Sequence, residues 1–144
     1  MNIDLAPLLR EALMNCIPIA GELSEWNGEP AIFTRRPIPS DAAFPNCAIG
    51  PNIGIIDADA LAEQRPIITR DILFYGEQPD QLRAVDRMAY AARGLFHRQR
   101  FAIDAPEGFS VIDIVAHGPI SAPASSDKYV GRVVTLTIRL GELS

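Results

Sequence analysis

Apolar residues recur along this chain with two different periods, and the switches between them outline the elements. Near the N-terminus Leu5, Leu8, Leu9, Ala12 and Leu13 fall on one face at helical spacing, which predicts a helix over Asp4–Asn15. Asp4 is placed to cap it, Pro7 lies in the first turn where a missing N–H costs nothing, and Pro18 and Gly21 are expected to end it. GELSEWNGEP then reads as a polar turn region, with Asn27-Gly28 as a hairpin signal. A short strand over Ala31–Thr34 leads into a proline-punctuated loop, Arg35–Pro45.

Cys47–Ile56 is extended again but interrupted by Gly50-Pro51 and Gly54, as expected of a bulged or edge strand. Asp57–Pro66 reads as an acidic hairpin tip, and Ile67–Tyr75 has the β-branched and aromatic bias of a strand that Gly76 closes. A helix opens at Pro79 or Asp80 and runs to about His97, with Leu82, Val85, Ala89, Ala92 and Phe96 on one stripe. Arg83, Asp86, Arg87, Arg93 and Arg98 lie mostly on its other face, where Asp86 is placed to pair with Arg83 or to sit by Tyr90. Phe109–Ala116 and Val130–Leu140 are the last strands, and in the second Val134, Leu136, Ile138 and Leu140 alternate with Val133, Thr135, Thr137 and Arg139. The intervening HGPISAPASSD reads as a mobile loop.

The order α–β–β–β–α–β–β predicts an α+β fold: a mostly antiparallel sheet of about five strands, with two amphipathic helices packed on one face. Leu5, Leu9, Leu13, Leu82, Val85, Phe96, Leu136 and Ile138 are the expected core. No internal repeat or linker divides the chain, so residues 1–144 are expected to form a single domain.

Composition narrows the function. With 48% hydrophobic and 22% charged residues, the chain is not disordered, collagen-like or a disulfide-dense mini-protein. A net charge of −5 and a pI near 4.9 tell against a general nucleic-acid binder. No apolar run approaches the ~20 residues of a membrane span, and Asp4, Arg10 and Glu11 break up any signal-like stretch, so a soluble cytosolic protein is expected. All the basic residues but Lys128 are arginine, which GC-rich coding explains and which bidentate ion pairing at interfaces would also favour.

Candidate chemistry is sparse. Cys16 and Cys47 have no CxxC partner and share no ligand spacing with His97 or His117, so free thiols and no metal site are expected. No G-x-S-x-G elbow is present, and His97 in HRQR is expected to serve as a solvated charge at a helix C-terminus. Gly50–Gly54 lacks the Lys-Ser/Thr of a phosphate loop, and Asp57/Asp59 fit no calcium-loop pattern. Neither catalysis nor a bound cofactor is expected. A ligand-binding cleft would have only Asp71, Asp113 and His117 to draw on. Arg35-Arg36 is a local positive spot suited to a phosphate backbone or to the acidic hairpin of a neighbouring subunit, and the net charge favours the second.

The succession of segments resembles the tail terminator (tail-completion, minor tail protein U type) family of long-tailed bacteriophages and gene transfer agents. DLAPLLREAL leads, AIFTRRPIPSDAAFPNCAIGP follows, then RDILFYGE, the small-faced helix DQLRAVDRMAYAARGLF, and the closing GRVVTLTIRL. The match covers nearly the whole chain, and its specificity lies in order and length; the segment around Asn27 and the loop from Gly118 to Lys128 depart from the pattern. The resemblance implies a structural virion protein at the head-proximal end of the tail, a homo-hexameric ring that caps the tail tube and meets the head-tail connector or neck protein. DNA would pass through an acidic lumen without specific binding, and no membrane is involved. Arg35, Arg36, Asp57, Asp59, Glu63 and Arg65 are the residues expected at subunit or tail-tube contacts. A neck or head-closure protein, a tail-tube subunit and a small-ligand-binding α+β domain are the alternatives.

Overall fold

The computed structural model describes residues 3–34, 38–60, 63–124 and 126–143, and gives the backbone alone for 52–60 and 63–65. Helix α1 (Ala6–Met14) has Pro7 in its first turn and buries Ala6, Leu9 and Leu13. Leu5, and not Asp4, occupies the N-cap position, but Asp4 just before it accepts the Ala6 N–H on its Oδ1 at 3.0 Å. Pro18 does not simply end this helix. The chain turns after Asn15, and Pro18 falls in the opening turn of a second short helix, α2 (Ile17–Ala20), where its missing N–H again costs nothing. Asn27 and Gly28, with φ of 54° and 82°, make the two-residue turn between β1 (Glu25–Trp26) and β2 (Glu29–Pro30).

The main sheet is built from β3 (Ile32–Phe33), β4 (Asn46–Ala60), β5 (Glu63–Glu77), β6 (Phe109–Ala122) and β7 (Tyr129–Glu142), with α3 (Leu82–Phe96) between β5 and β6. Its five strands run in the order β3-β4-β5-β7-β6, antiparallel except for the β3–β4 pair. With the small β1–β2 sheet and three helices this is the α+β fold the periodicities predict.

One face of the sheet carries the main core. Ile68, Ile72 and Phe74 of β5 and Val134, Leu136, Ile138 and Leu140 of β7 are buried against Leu9 and Leu13 of α1 and against Val85, Met88, Ala89, Ala92 and Phe96 of α3. Each such large apolar side chain is worth about 1.5–3 kcal/mol of burial. Leu82 is half-buried at the rim of this cluster rather than inside it. Gly76 lets α3 approach: a Cβ there would stand 2.6 Å from a methyl of Val85. Asp86 turns to the sheet, accepting Arg132 Nε at 2.9 Å, instead of pairing with Arg83 along its own helix. On the opposite face Leu73, Ala122 and Val133 form a small second cluster with Tyr75 against it.

Two expectations about extent are corrected. Strands β4 and β5 pair as far as Ala60 and Glu63, so most of the segment expected to be a hairpin tip is strand. Likewise β6 runs on past His117 to Ala122, pairing Ile120 with Val133 and Ala122 with Gly131. Gly118 and Pro119 are absorbed by a register shift between His117 and Ile120, so much of the expected mobile loop is sheet.

Candidate functional site

The two edges of the main sheet are finished differently. At one edge β3 pairs with β4 only at Cys47 and Ala48; from Ile49 to Ala60 no further strand lies outside β4 among the described residues. Register shifts interrupt its pairing with β5 between Ile49 and Asn52 and between Asn52 and Gly54, where Gly50-Pro51 and Gly54 mark the irregularity in sequence. The first shift is held from inside. Arg70, only 4% exposed on the helix-facing side of β5, donates from Nε and Nη2 to the Gly50 carbonyl at 2.9 and 2.6 Å and from Nη1 to Asp4 Oδ1 at 3.1 Å. A guanidinium in a strand core needs such a full set of acceptors.

Beyond Ile67, the last β5 residue paired with β7, the β4–β5 ribbon continues as two strands alone. In this arm Asp57 stands opposite Pro66, Ala58 opposite Arg65, Asp59 opposite Gln64 and Ala60 opposite Glu63. Four of the six residues expected at contacts, Asp57, Asp59, Glu63 and Arg65, are therefore brought together on one projection. Arg35 and Arg36 lie outside the described residues.

The β6 edge is covered. Residues after α3 fold back on it: Arg98 N–H donates to the Ile114 carbonyl at 2.7 Å and the Ala116 N–H donates to His97 Nδ1 at 3.1 Å. His97 thus serves as an acceptor for a sheet edge, half-buried, where a solvated position at the helix end was expected of it. Arg98 adopts φ 60° to make the turn, and its guanidinium pairs with Asp113.

The fold is shared with a virion chain. Over 95% of its length this chain superposes on 94% of a chain from the virion of a native gene transfer agent (GTA) particle, with a TM-score of 0.76 and 11% sequence identity. No family model and no curated protein sequence matches it.

The residues proposed for a ligand cleft do not converge. Asp71 Oδ1 accepts the Thr135 hydroxyl at 2.6 Å, and His117 stands exposed one strand further along the same row, opposite Thr135. Asp113 is engaged by Arg98. None of the three lines the cavity of about 450 Å³ under the Ile38–Asn46 segment, whose walls include Phe44, Tyr75 and Tyr129. Phe44 and Tyr129 stack there with ring centroids 4.7 Å apart. Asn46 at its base donates Nδ2 to the Ala43 carbonyl at 3.2 Å, while its Oδ1 has no partner among the described residues. Cys16 and Cys47 are free, and complete burial pushes the Cys47 thiol far above its ordinary range, which keeps it protonated and inert.

Sequence reasoning missed two features. Arg70 was legible as an arginine in phase with Ile68, Ile72 and Phe74, the alternation of a buried face. A group of exposed apolar residues at the β6 edge, Phe101, Ile112 and Leu143, gave no local signal because its members are far apart in sequence.

Proposed function

We propose that this chain is a structural virion protein that forms a ring on the head-proximal end of a tail tube, ends tube polymerisation and joins tail to head. The observation that carries the reading is the fold likeness to a GTA virion chain over nearly the full length of both chains. The open β4 edge and its arm support it, since a ring requires heterologous surfaces that close on themselves. Its partners are further copies of itself, the tail tube protein below and a connector or neck protein above, with DNA passing through without specific binding. Arg35, Arg36, Asp57, Asp59, Glu63 and Arg65 are assigned to subunit or tube contacts.

Native mass across a concentration series, with negative-stain imaging of the largest species, tests this. Closed rings of about six copies, free or formed only on added tail tubes, are expected. Open-ended tubes would make the chain a tube subunit. A monomer that ignores tail tubes at every concentration would overturn the assembly reading and return attention to the aromatic cavity beside Asn46.

A further inference from the structure

The end of the sheet from which the arm projects carries a second unusual surface at its opposite edge. There the first residues of β6 and the chain around Phe101 border a cleft of about 520 Å³. Phe101 is 85% exposed, Leu143 60% and Ile112 46%, so three large apolar side chains face solvent around one concavity. Ile112 owes its position to the register shift between Val111 and Asp113, which inserts it as the unpaired residue of a bulge. Apolar side chains gathered in this way mark an interaction site, whereas single exposed ones do not. Among the described residues Arg100 is the one charged side chain lining the cleft, its guanidinium 4.7 Å from the centre of the Phe101 ring.

Register places this cleft level with the arm. Ile56, Ile67, Arg139 and Asp113 form one row across β4, β5, β7 and β6. Beyond that row the arm carries the pairs Asp57–Pro66 to Ala60–Glu63, while β7 and β6 carry Leu140–Val111, Gly141–Ser110 and Glu142–Phe109, the strand ends beside the cleft. A rotation about an axis along the strands, setting one copy beside the next, preserves that level. It brings the arm of one copy to the cleft of its neighbour.

Chemistry fits the same pairing. A two-stranded ribbon without a third strand is marginal in water, and the arm has no third strand within its own chain among the described residues. It carries Asp57, Asp59 and Glu63 against Arg65 alone, and the cleft it would enter offers Arg100. We propose that the paired strand ends 57–60 and 63–66 of one copy seat against the Phe101–Ile112–Leu143 cleft of the next, a head-to-tail contact that repeats around the assembly. This inference rests on the ring reading and names the surface that builds the ring.

Mixed-chain crosslinking is the direct test. In a Cys16→Ser background, one preparation carries Ala58→Cys or Asp59→Cys, so that both faces of the arm are sampled, and another carries Leu143→Cys. Oxidation should yield covalent dimers in the arm-plus-Leu143→Cys mixtures and none in any preparation alone. Arm-to-arm dimers would overturn the proposal in favour of a two-fold contact. Closed rings by native mass without arm-to-cleft product would overturn the surface assignment and leave the ring standing; a persistent monomer with no product would remove both. Phe101→Asp is the companion variant. It should weaken self-association by about tenfold or more while leaving the urea midpoint of the isolated chain unchanged, and undiminished association would sink the proposal.

Discussion

The two edges of the main sheet face the same physical problem and resolve it in opposite ways. An edge strand presents a row of unpaired N–H and C=O groups that invites another strand. At β6 the chain leaving α3 folds back and satisfies Ile114 and Ala116 from Arg98 and His97. At β4 the cover is β3, two residues long, and beyond Ala48 no outer strand pairs with it among the described residues. What strengthens β4 comes from within, through Arg70 on the Gly50 carbonyl. At one edge the chain itself takes up the Ile114 carbonyl and the Ala116 N–H, while the other is stiffened from inside and has no outer strand from Ile49 on among the described residues. Edges treated so unequally suit a head-to-tail assembly better than a two-fold one, which would pair identical surfaces.

The largest effect on this contrast should come from Arg70→Ala. It removes both donors from the Gly50 carbonyl and leaves that buried acceptor unpaired at the bulge, at a cost of about 3 kcal/mol. Its ion-pair partner is a control, since the Asp4 side chain is 67% exposed; Asp4→Ala should cost only about 1 kcal/mol, mainly as the lost bond to the Ala6 N–H. Urea denaturation with an unchanged slope measures both. Equal losses would mean that the ion pair, and not the Gly50 carbonyl, is what Arg70 is there to hold.

His97→Ala attacks the other edge and should cost less, about 1 kcal/mol, because the Ala116 N–H it orphans is only partly buried. Hydrogen exchange gives the sharper reading. The Ala116 amide should lose protection in the variant while the Ile138 amide in the sheet centre keeps its own. If Ala116 exchanges no faster, the edge is closed by the surrounding chain and the imidazole is incidental.

The sequence reveals elements better than it reveals where pairing stops. Leu5, Leu9 and Leu13, the α3 stripe from Val85 to Phe96, and the alternation from Val134 to Leu140 all lie on the buried face, because each is a period imposed by one local geometry. Gly118 and Pro119 misled for the same reason: both read locally as loop, yet a bulge absorbs them because β7 continues alongside. Asp86 had a plausible partner one turn away in Arg83 and took Arg132, which only the tertiary fold brings near. Of the candidate contact residues, the acidic run was visible as composition; that it projects was not, since the arm begins where β7 ceases to pair with β5 at Ile67. The cleft was invisible because Phe101, Ile112 and Leu143 meet only after β6 and β7 are in register.

The smallest expected effect tests how the covered edge is held. Arg98 pays for its place with a left-handed backbone, φ 60°, which for a residue with a Cβ costs about 1 kcal/mol. In return its N–H reaches the Ile114 carbonyl and its side chain meets Asp113 in a pair exposed enough to contribute about 0–1 kcal/mol. Arg98→Gly loses the pair and gains unfolded-chain entropy, but it relieves the backbone, so stability should stay within about 0.5 kcal/mol of the parent. Arg98→Ala loses the same pair and keeps the strain, so it should be the less stable of the two by up to about 1 kcal/mol. That order makes the main-chain turn the element that covers β6, with the ion pair an accessory. Equal losses of well over ~1 kcal/mol in both variants would instead make the Arg98–Asp113 pair the clasp, and the closed edge would then loosen with salt where the open edge, held by a buried guanidinium on a carbonyl, would not.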